Sequence, residues 1–137
     1  MQRLWSLAIV LPAVFLATGT TEAQPVRSIM SKKPWTAVRV NGAESAAEAT
    51  AAVTFEASGR LHGSGGCNRI SGNYVVASDG KTVKIGSIAS TRLLCPLAVT
   101  KVERALILAL EMAKSARVDR SGRLLLLRDG VVLAIFK

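Results

Sequence analysis

Four glycines and a cysteine fall within the twelve residues GSGGCNRISGNY, at positions 63–74, and this stretch constrains the fold strongly. Glycine adopts backbone angles that are closed to other residues, so Gly65 and Gly66 predict a sharp corner where the chain approaches a neighbouring segment. We expect Asn68 to bond its own backbone across this turn. Cys67 then lies at the corner, and its sulfur is either reactive or structural.

The first 23 residues have the three-part layout of a secretory signal. Arg3 gives a positive start, an apolar run extends from Leu4 to Ala17, and small residues precede the expected cleavage after Ala23. The apolar run is shorter than the roughly 20 residues that span a bilayer, although an uncleaved anchor is the alternative. No cysteine for lipid attachment lies near the cleavage site. We therefore expect residues 24–137 to be periplasmic or secreted.

Cys67 and Cys95 are the two cysteines of the chain, and an even number in an exported protein predicts a structural disulfide. Closing the loop between them should stabilise the fold by about 3–4 kcal/mol in the chain-entropy model. A cysteine nucleophile would need a base, and an extended strand would put the one histidine, His62, about 15 Å from Cys67 unless the glycines fold the chain back.

The sequence therefore predicts no catalytic residues and no cofactor. Two thiols and one imidazole supply three potential zinc ligands without paired spacing, so we expect no metal site either. Asp79, Asp119 and Asp129 lie close to turn glycines, where aspartate forms local hydrogen bonds.

The charge of the chain is strongly positive. Only Arg3 of the 18 basic residues and Glu22 of the 9 acidic ones precede residue 24, so cleavage leaves the net charge at +9. A basic surface attracts anionic lipid, polysaccharide or nucleic acid, and the alternative is solubility alone. Proteins that bind single-stranded nucleic acid place aromatic residues among the cations. Here Phe55, Tyr74 and Phe136 occupy predicted core positions, which argues against nucleic acid.

Alternation of apolar and polar residues predicts short antiparallel strands. The first strand covers 34–40, and the clearest hairpin joins Leu124–Arg128 to Val131–Phe136 through Asp129-Gly130, a pair typical of a type I′ turn. Residues 24–33 are expected to be flexible, and residues 34–137 to form one domain.

Residues 97–114 change to a helical period, with apolar residues three and four apart. Thr100 and Glu103 fit a capping box, and Pro96 is an alternative first-turn residue. The whole pattern predicts an α+β fold. It is a small, half-open antiparallel β-barrel of seven or eight strands, with one helix inserted before the last three.

Two segments, EASGRLHGSGGCNRISGNYVV and IGSIASTRLLCP, followed by the amphipathic helix, resemble the META domain, the family that includes the bacterial heat-shock protein HslJ. The resemblance covers roughly residues 34–137. Leu93 and Leu94 stand where the family has methionine and a small residue. The matching residues that we expect to determine the fold are Trp35, Gly63, Gly66, Asn68, Gly72, Tyr74, Thr91 and Arg92, together with Cys67 and Cys95.

The resemblance implies a small half-barrel of bacterial envelopes, associated with stress and drug tolerance or with secretion, and it brings no established chemistry. We therefore predict a non-enzymatic, exported META/HslJ-like domain. It would act as an envelope stress or integrity factor by binding a protein or an anionic lipid. One alternative is a carrier of a small apolar ligand in the barrel, which the LLLL run at 124–127 suggests. A thiol-dependent enzyme is another alternative.

Overall fold

A computed structural model describes residue 14, residues 25–44 and residues 50–137. The predicted signal peptide at 1–23, residue 14 apart, lies outside the described residues, as does the segment 45–49. None of the helices in the described part of the chain is long and apolar enough to cross a membrane.

The described residues form two helices and ten strands. The helices are α1, Val26–Met30, and α2, Leu97–Met112. The strands are β1, Trp35–Val40; β2, Ala43–Glu44; β3, Ala52–Phe55; β4, Arg60–Ser64; β5, Arg69–Val76; β6, Val83–Ile85; β7, Ala89–Ser90; β8, Ser115–Val118; β9, Leu124–Arg128; and β10, Val131–Phe136.

The strands form one antiparallel sheet with the order β6-β5-β4-β3-β1-β10-β9-β8, while β2 pairs with β1 and β7 pairs with β5. The two end strands approach each other at a bridge between Thr82 and Ser115, beside a 2.9 Å hydrogen bond from the Val83 N–H to the Lys114 carbonyl. The sheet therefore curls into a half-open barrel. This confirms the predicted fold class, and the continuous path contains eight strands. The two additional strands have two residues each, too short for an alternating pattern.

Helix α2 precedes the last three strands, as predicted, and packs on β1, β6, β9 and β10. Its buried face carries Leu106, Ala109 and Leu110, in agreement with the helical period of the sequence. Trp35 and Phe55 are also at most 1% exposed. Side chains from the sheet and from one face of the helix thus make a single core.

The hairpin of β9 and β10 has the predicted strand limits. Asp129 and Gly130 have φ angles of 50° and 80°, the two positive values that a type I′ turn requires. All four leucines at 124–127 are buried. Leu124 and Leu126 belong to the main core.

The segment 24–33, expected to be flexible, contains the short helix α1 in its described part. Met30 is completely buried, and its carbonyl accepts a 2.8 Å hydrogen bond from the Trp35 indole. Arg27 also donates to the carbonyl of Ala57. These contacts hold α1 against the domain, and five residues are too few for a helical period to be recognised in the sequence.

Candidate functional site

The glycine-rich stretch forms the hairpin loop between β4 and β5. Ser64 pairs with Arg69, so residues 65–68 make the turn, which is closed by a 3.0 Å hydrogen bond from the Gly65 N–H to the Asn68 carbonyl. Gly66 has a φ of 114°, the left-handed geometry expected of it. Gly65 makes the close approach to a neighbouring segment that was predicted for this corner. A Cβ on Gly65 would collide with the side chain of Glu103, so this glycine makes room for helix α2.

Cys67 forms a disulfide with Cys95, as predicted. The two Cα atoms are 6.3 Å apart, and the cysteines are 28 residues apart in sequence. Cys95 precedes helix α2 directly, because Pro96 is the N-cap residue and Leu97 begins the helix. The bond therefore joins the hairpin loop to the segment that leads into the helix.

Asn68 connects three parts of this corner. The prediction that it bonds its own backbone was wrong, because the side chain of this buried residue makes its hydrogen bonds to other segments. Its Oδ1 accepts hydrogen bonds from the Leu93 N–H at 2.7 Å and from the Thr91 hydroxyl at 3.1 Å. Its Nδ2 lies 3.9 Å from the Cys95 sulfur and donates to Glu103. One amide group thus orients the whole segment 91–95.

The role predicted for Glu103 from the sequence was wrong. This residue does not form a capping box with Thr100, whose hydroxyl donates to the Pro96 carbonyl at 3.3 Å. Glu103 is 6% exposed, and its carboxyl group accepts two hydrogen bonds from Asn68, from the backbone N–H at 2.9 Å and from Nδ2 at 2.7 Å. The sequence does contain a signal for this buried position, because Glu103 falls on the same face of the helix as Leu106 and Leu110.

Comparison with known proteins agrees with this architecture. The profile of the META domain family matches residues 28–137. The chain belongs to the META domain family. This match begins six residues before the domain boundary predicted at residue 34, and it includes the end of α1. No curated protein matches the chain.

Solved structures share the fold of this META domain. An NMR structure of a protein from Burkholderia xenovorans has a TM-score of 0.63 at 19% identity, covering 100% of this chain and 97% of that one. A crystal structure of a DUF4847 family protein from Bacteroides vulgatus has a TM-score of 0.56 at 22% identity, covering 81% and 94%. A further NMR structure has a TM-score of 0.58 at 20% identity, covering 80% and 92%.

Several other motif residues of the META domain make contacts that hold the fold. A Cβ on Gly63 would collide with the Ala52 carbonyl on the neighbouring strand, and one on Gly72 would lie 2.8 Å from Ile88. The Tyr74 hydroxyl donates to the Glu56 carbonyl at 2.6 Å. Burial raises the pKa of this tyrosine. Arg92, in contrast, has an exposed side chain.

His62 lies on β4 with its side chain 55% exposed, where its Nε2 is 3.1 Å from Glu56 Oε1. Its nearest charged partner is thus a carboxylate on the surface, while both sulfurs are in the disulfide. Within the described ranges, no group of three or more histidine, cysteine or acidic residues is placed to hold a metal ion.

An open groove of about 1140 Å³ lies between α1, the turn at 78–81 and strand β8. Val26, Ile29 and Leu127 contribute to its lining. This groove is separate from the predicted ligand space inside the barrel, where Trp35 and Phe55 are among the side chains that pack the core.

A group of exposed leucines lies close to Cys95 in the sequence. Leu93 is 65% exposed, Leu94 is 104% exposed and Leu97 is 70% exposed, and Leu108 farther along α2 is 50% exposed. Three exposed cations occur in the same stretch of chain. We call this set the leucine–cation surface; it consists of Arg92, Leu93, Leu94, Leu97, Lys101, Arg104 and Leu108.

Proposed function

We propose that this META domain is an exported, non-enzymatic factor of the bacterial envelope that binds an anionic partner, either a lipid surface or an acidic protein face. Its role would be in envelope integrity under stress. The proposal depends above all on one observation, the charge of the leucine–cation surface. Arg92, Lys101 and Arg104 are exposed there. The acid closest to them in sequence, Glu103, is turned into the fold and bonded to Asn68.

This arrangement leaves a local excess of positive charge on a rigid part of the domain. The net charge of +9 attracts anionic partners from a distance, and the local cluster gives them a place to bind. A disulfide supports the proposed compartment, because such bonds persist in oxidising spaces. N-terminal sequencing of the protein from the envelope fraction should begin at Gln24, and recovery of Met1 would contradict the proposed export.

Salt dependence tests the proposed binding. The exported protein should sediment with native envelope fractions at 20 mM salt and be released at 500 mM, because salt screens exposed charges. The variant R92Q/K101Q/R104Q should lose most of this binding. A control that removes three exposed cations elsewhere, R60Q/K84Q/R120Q, should retain more of it. The proposal is wrong if wild-type protein does not bind, or if binding is indifferent to salt.

The non-enzymatic part of the proposal has a separate test. The thiol-dependent alternative needs a free sulfur, whereas a thiol reagent should find no reactive cysteine in the folded, exported protein. One or two reactive thiols per chain under native conditions would restore the alternative.

A further inference from the structure

The exposure of Leu93, Leu94 and Leu97 is unusual because the three lie within five residues of chain. A single exposed leucine is normal on a protein surface. A contiguous group flanked by polar residues indicates contact with an apolar partner. Leu94 and Leu97 are three residues apart, so their Cα atoms are at most about 11 Å from each other. One partner can therefore cover both.

Contacts within the fold constrain the backbone of this segment and keep these leucines exposed to solvent. The Leu93 N–H is bonded to the buried Asn68 side chain, and Cys95 is covalently attached to the hairpin loop. Leu97 is fixed as the first residue of α2. Because backbone constraints lie on both sides of Leu94, the segment cannot readily turn its apolar side chains inward.

The outer face of α2 continues the same surface. Leu97, Lys101, Arg104 and Leu108 follow one another at intervals of four, three and four residues, so they form one stripe along the helix. The helical period puts this stripe opposite the buried Leu106 and Leu110. Glu111 lies near the far end of the stripe, where its Oε1 accepts a hydrogen bond from the Ile88 N–H.

We propose that the leucine–cation surface is a docking site for anionic phospholipid bilayers. Leu93, Leu94 and Leu97 would enter the boundary between headgroups and acyl chains, while Arg92, Lys101 and Arg104 contact lipid phosphates. This inference rests on the proposed function and chooses a lipid partner over a protein. The mixture of leucines and long cationic side chains favours the lipid, because lysine and arginine extend to headgroups above an apolar layer.

Tryptophan at position 94 reports insertion directly. Leu94 is fully exposed, so L94W should fold normally. With vesicles of phosphatidylglycerol and phosphatidylcholine, we expect a blue shift of its fluorescence and quenching by lipids brominated on the acyl chain. The matched control is V75W, at a position 63% exposed on β5, and its fluorescence should change little. L94W that binds vesicles without a shift or quenching would overturn the inference.

Sedimentation with the same vesicles measures the contribution of the leucines. L93S/L94S/L97S should weaken binding by at least tenfold, since each leucine removed from an apolar environment is worth about that factor. The control V131S/V75S removes two valines that are each 63% exposed elsewhere, and it should bind as the wild type does. Vesicles of phosphatidylcholine alone should bind the wild type at least tenfold more weakly, because each cation contributes about fivefold near an anionic surface.

The outcomes separate this inference from the proposed function. If the wild type binds anionic vesicles and the leucine variant binds equally well, lipid binding remains but insertion is wrong. If the wild type does not bind vesicles, the lipid inference is wrong. If, in addition, L93S/L94S/L97S no longer binds an envelope protein that the wild type binds, the surface binds a protein partner. Thermal unfolding with and without reductant checks that each variant retains its fold and disulfide.

Discussion

Glu103 and Asn68 are joined by two hydrogen bonds, one to the backbone N–H and one to the side-chain amide of the asparagine, across 35 residues of sequence. The same corner is joined covalently by Cys67 and Cys95. Helix α2 and the segment that leads into it are therefore both connected to the β4–β5 hairpin, and the Leu93 N–H, just before Cys95, is bonded to Asn68 Oδ1 as well. The backbone of residues 93–95 is thus constrained by a hydrogen bond to a buried side chain and by the disulfide.

Replacing Glu103 by alanine should destabilise the domain by roughly 2–4 kcal/mol, because two buried N–H donors of Asn68 would lose their acceptor. E103Q should cost less, since one amide oxygen remains to accept a hydrogen bond. Urea unfolding monitored by circular dichroism gives both values.

The matched control for this prediction is E111A, on the same helix. Glu111 is exposed and accepts one hydrogen bond, from the Ile88 N–H at 2.8 Å. Its loss should cost about 1 kcal/mol or less, because water can replace an exposed acceptor. Equal effects of E103A and E111A would show that the buried network is not a main source of stability.

Reduction of the disulfide should lower the free energy of unfolding by about 3 kcal/mol and the Tm by about 10–20 °C. The reason is the gain in chain entropy of the unfolded state once the loop between the cysteines is open. Calorimetry with and without reductant measures the change. The double variant C67A/C95A should melt near the Tm of the reduced wild type in both buffers. A wild-type Tm that does not change on complete reduction would contradict the prediction.

G63A should destabilise the domain by about 2–3 kcal/mol. The new Cβ would collide with the backbone carbonyl of Ala52, which is fixed in the sheet and cannot move aside as a flexible side chain could. The control is G86A, where the nearest atom is the Asn73 carbonyl oxygen at 3.8 Å. G86A should be neutral or slightly stabilising, because alanine restricts the unfolded chain. Similar unfolding midpoints for the two variants would argue against this account.

Local patterns in the sequence were sufficient for much of the fold. The β9–β10 hairpin was predicted with its limits because Asp129-Gly130 and the flanking apolar residues act within a few positions of each other. The disulfide followed from the cysteine number and the expected compartment. The Asn68–Glu103 contact could not be found in this way, because two residues far apart in sequence give no shared local pattern. The capping-box spacing also predicted a local partner for Glu103. Its buried position on α2 instead places its carboxyl group against Asn68.

Asp79 should make stability depend on pH in the acid range. Hydrogen bonds from the Thr82 hydroxyl and from the N–H groups of Lys81 and Thr82 lower its pKa from 3.8 to about 2. Since the folded pKa lies below the unfolded one, the carboxylate stabilises the fold above about pH 4. That contribution is lost as the pH falls towards 2.

The variant D79N isolates this effect. Asparagine keeps the Oδ1 acceptor for both N–H groups, so the turn can remain while the charge is removed. We expect the wild type to have the higher urea midpoint at pH 6, by a small amount because the group is exposed. The difference should shrink between pH 4 and pH 2. A difference that stays constant over this range would mean that the titration of Asp79 does not contribute to the acid sensitivity of the domain.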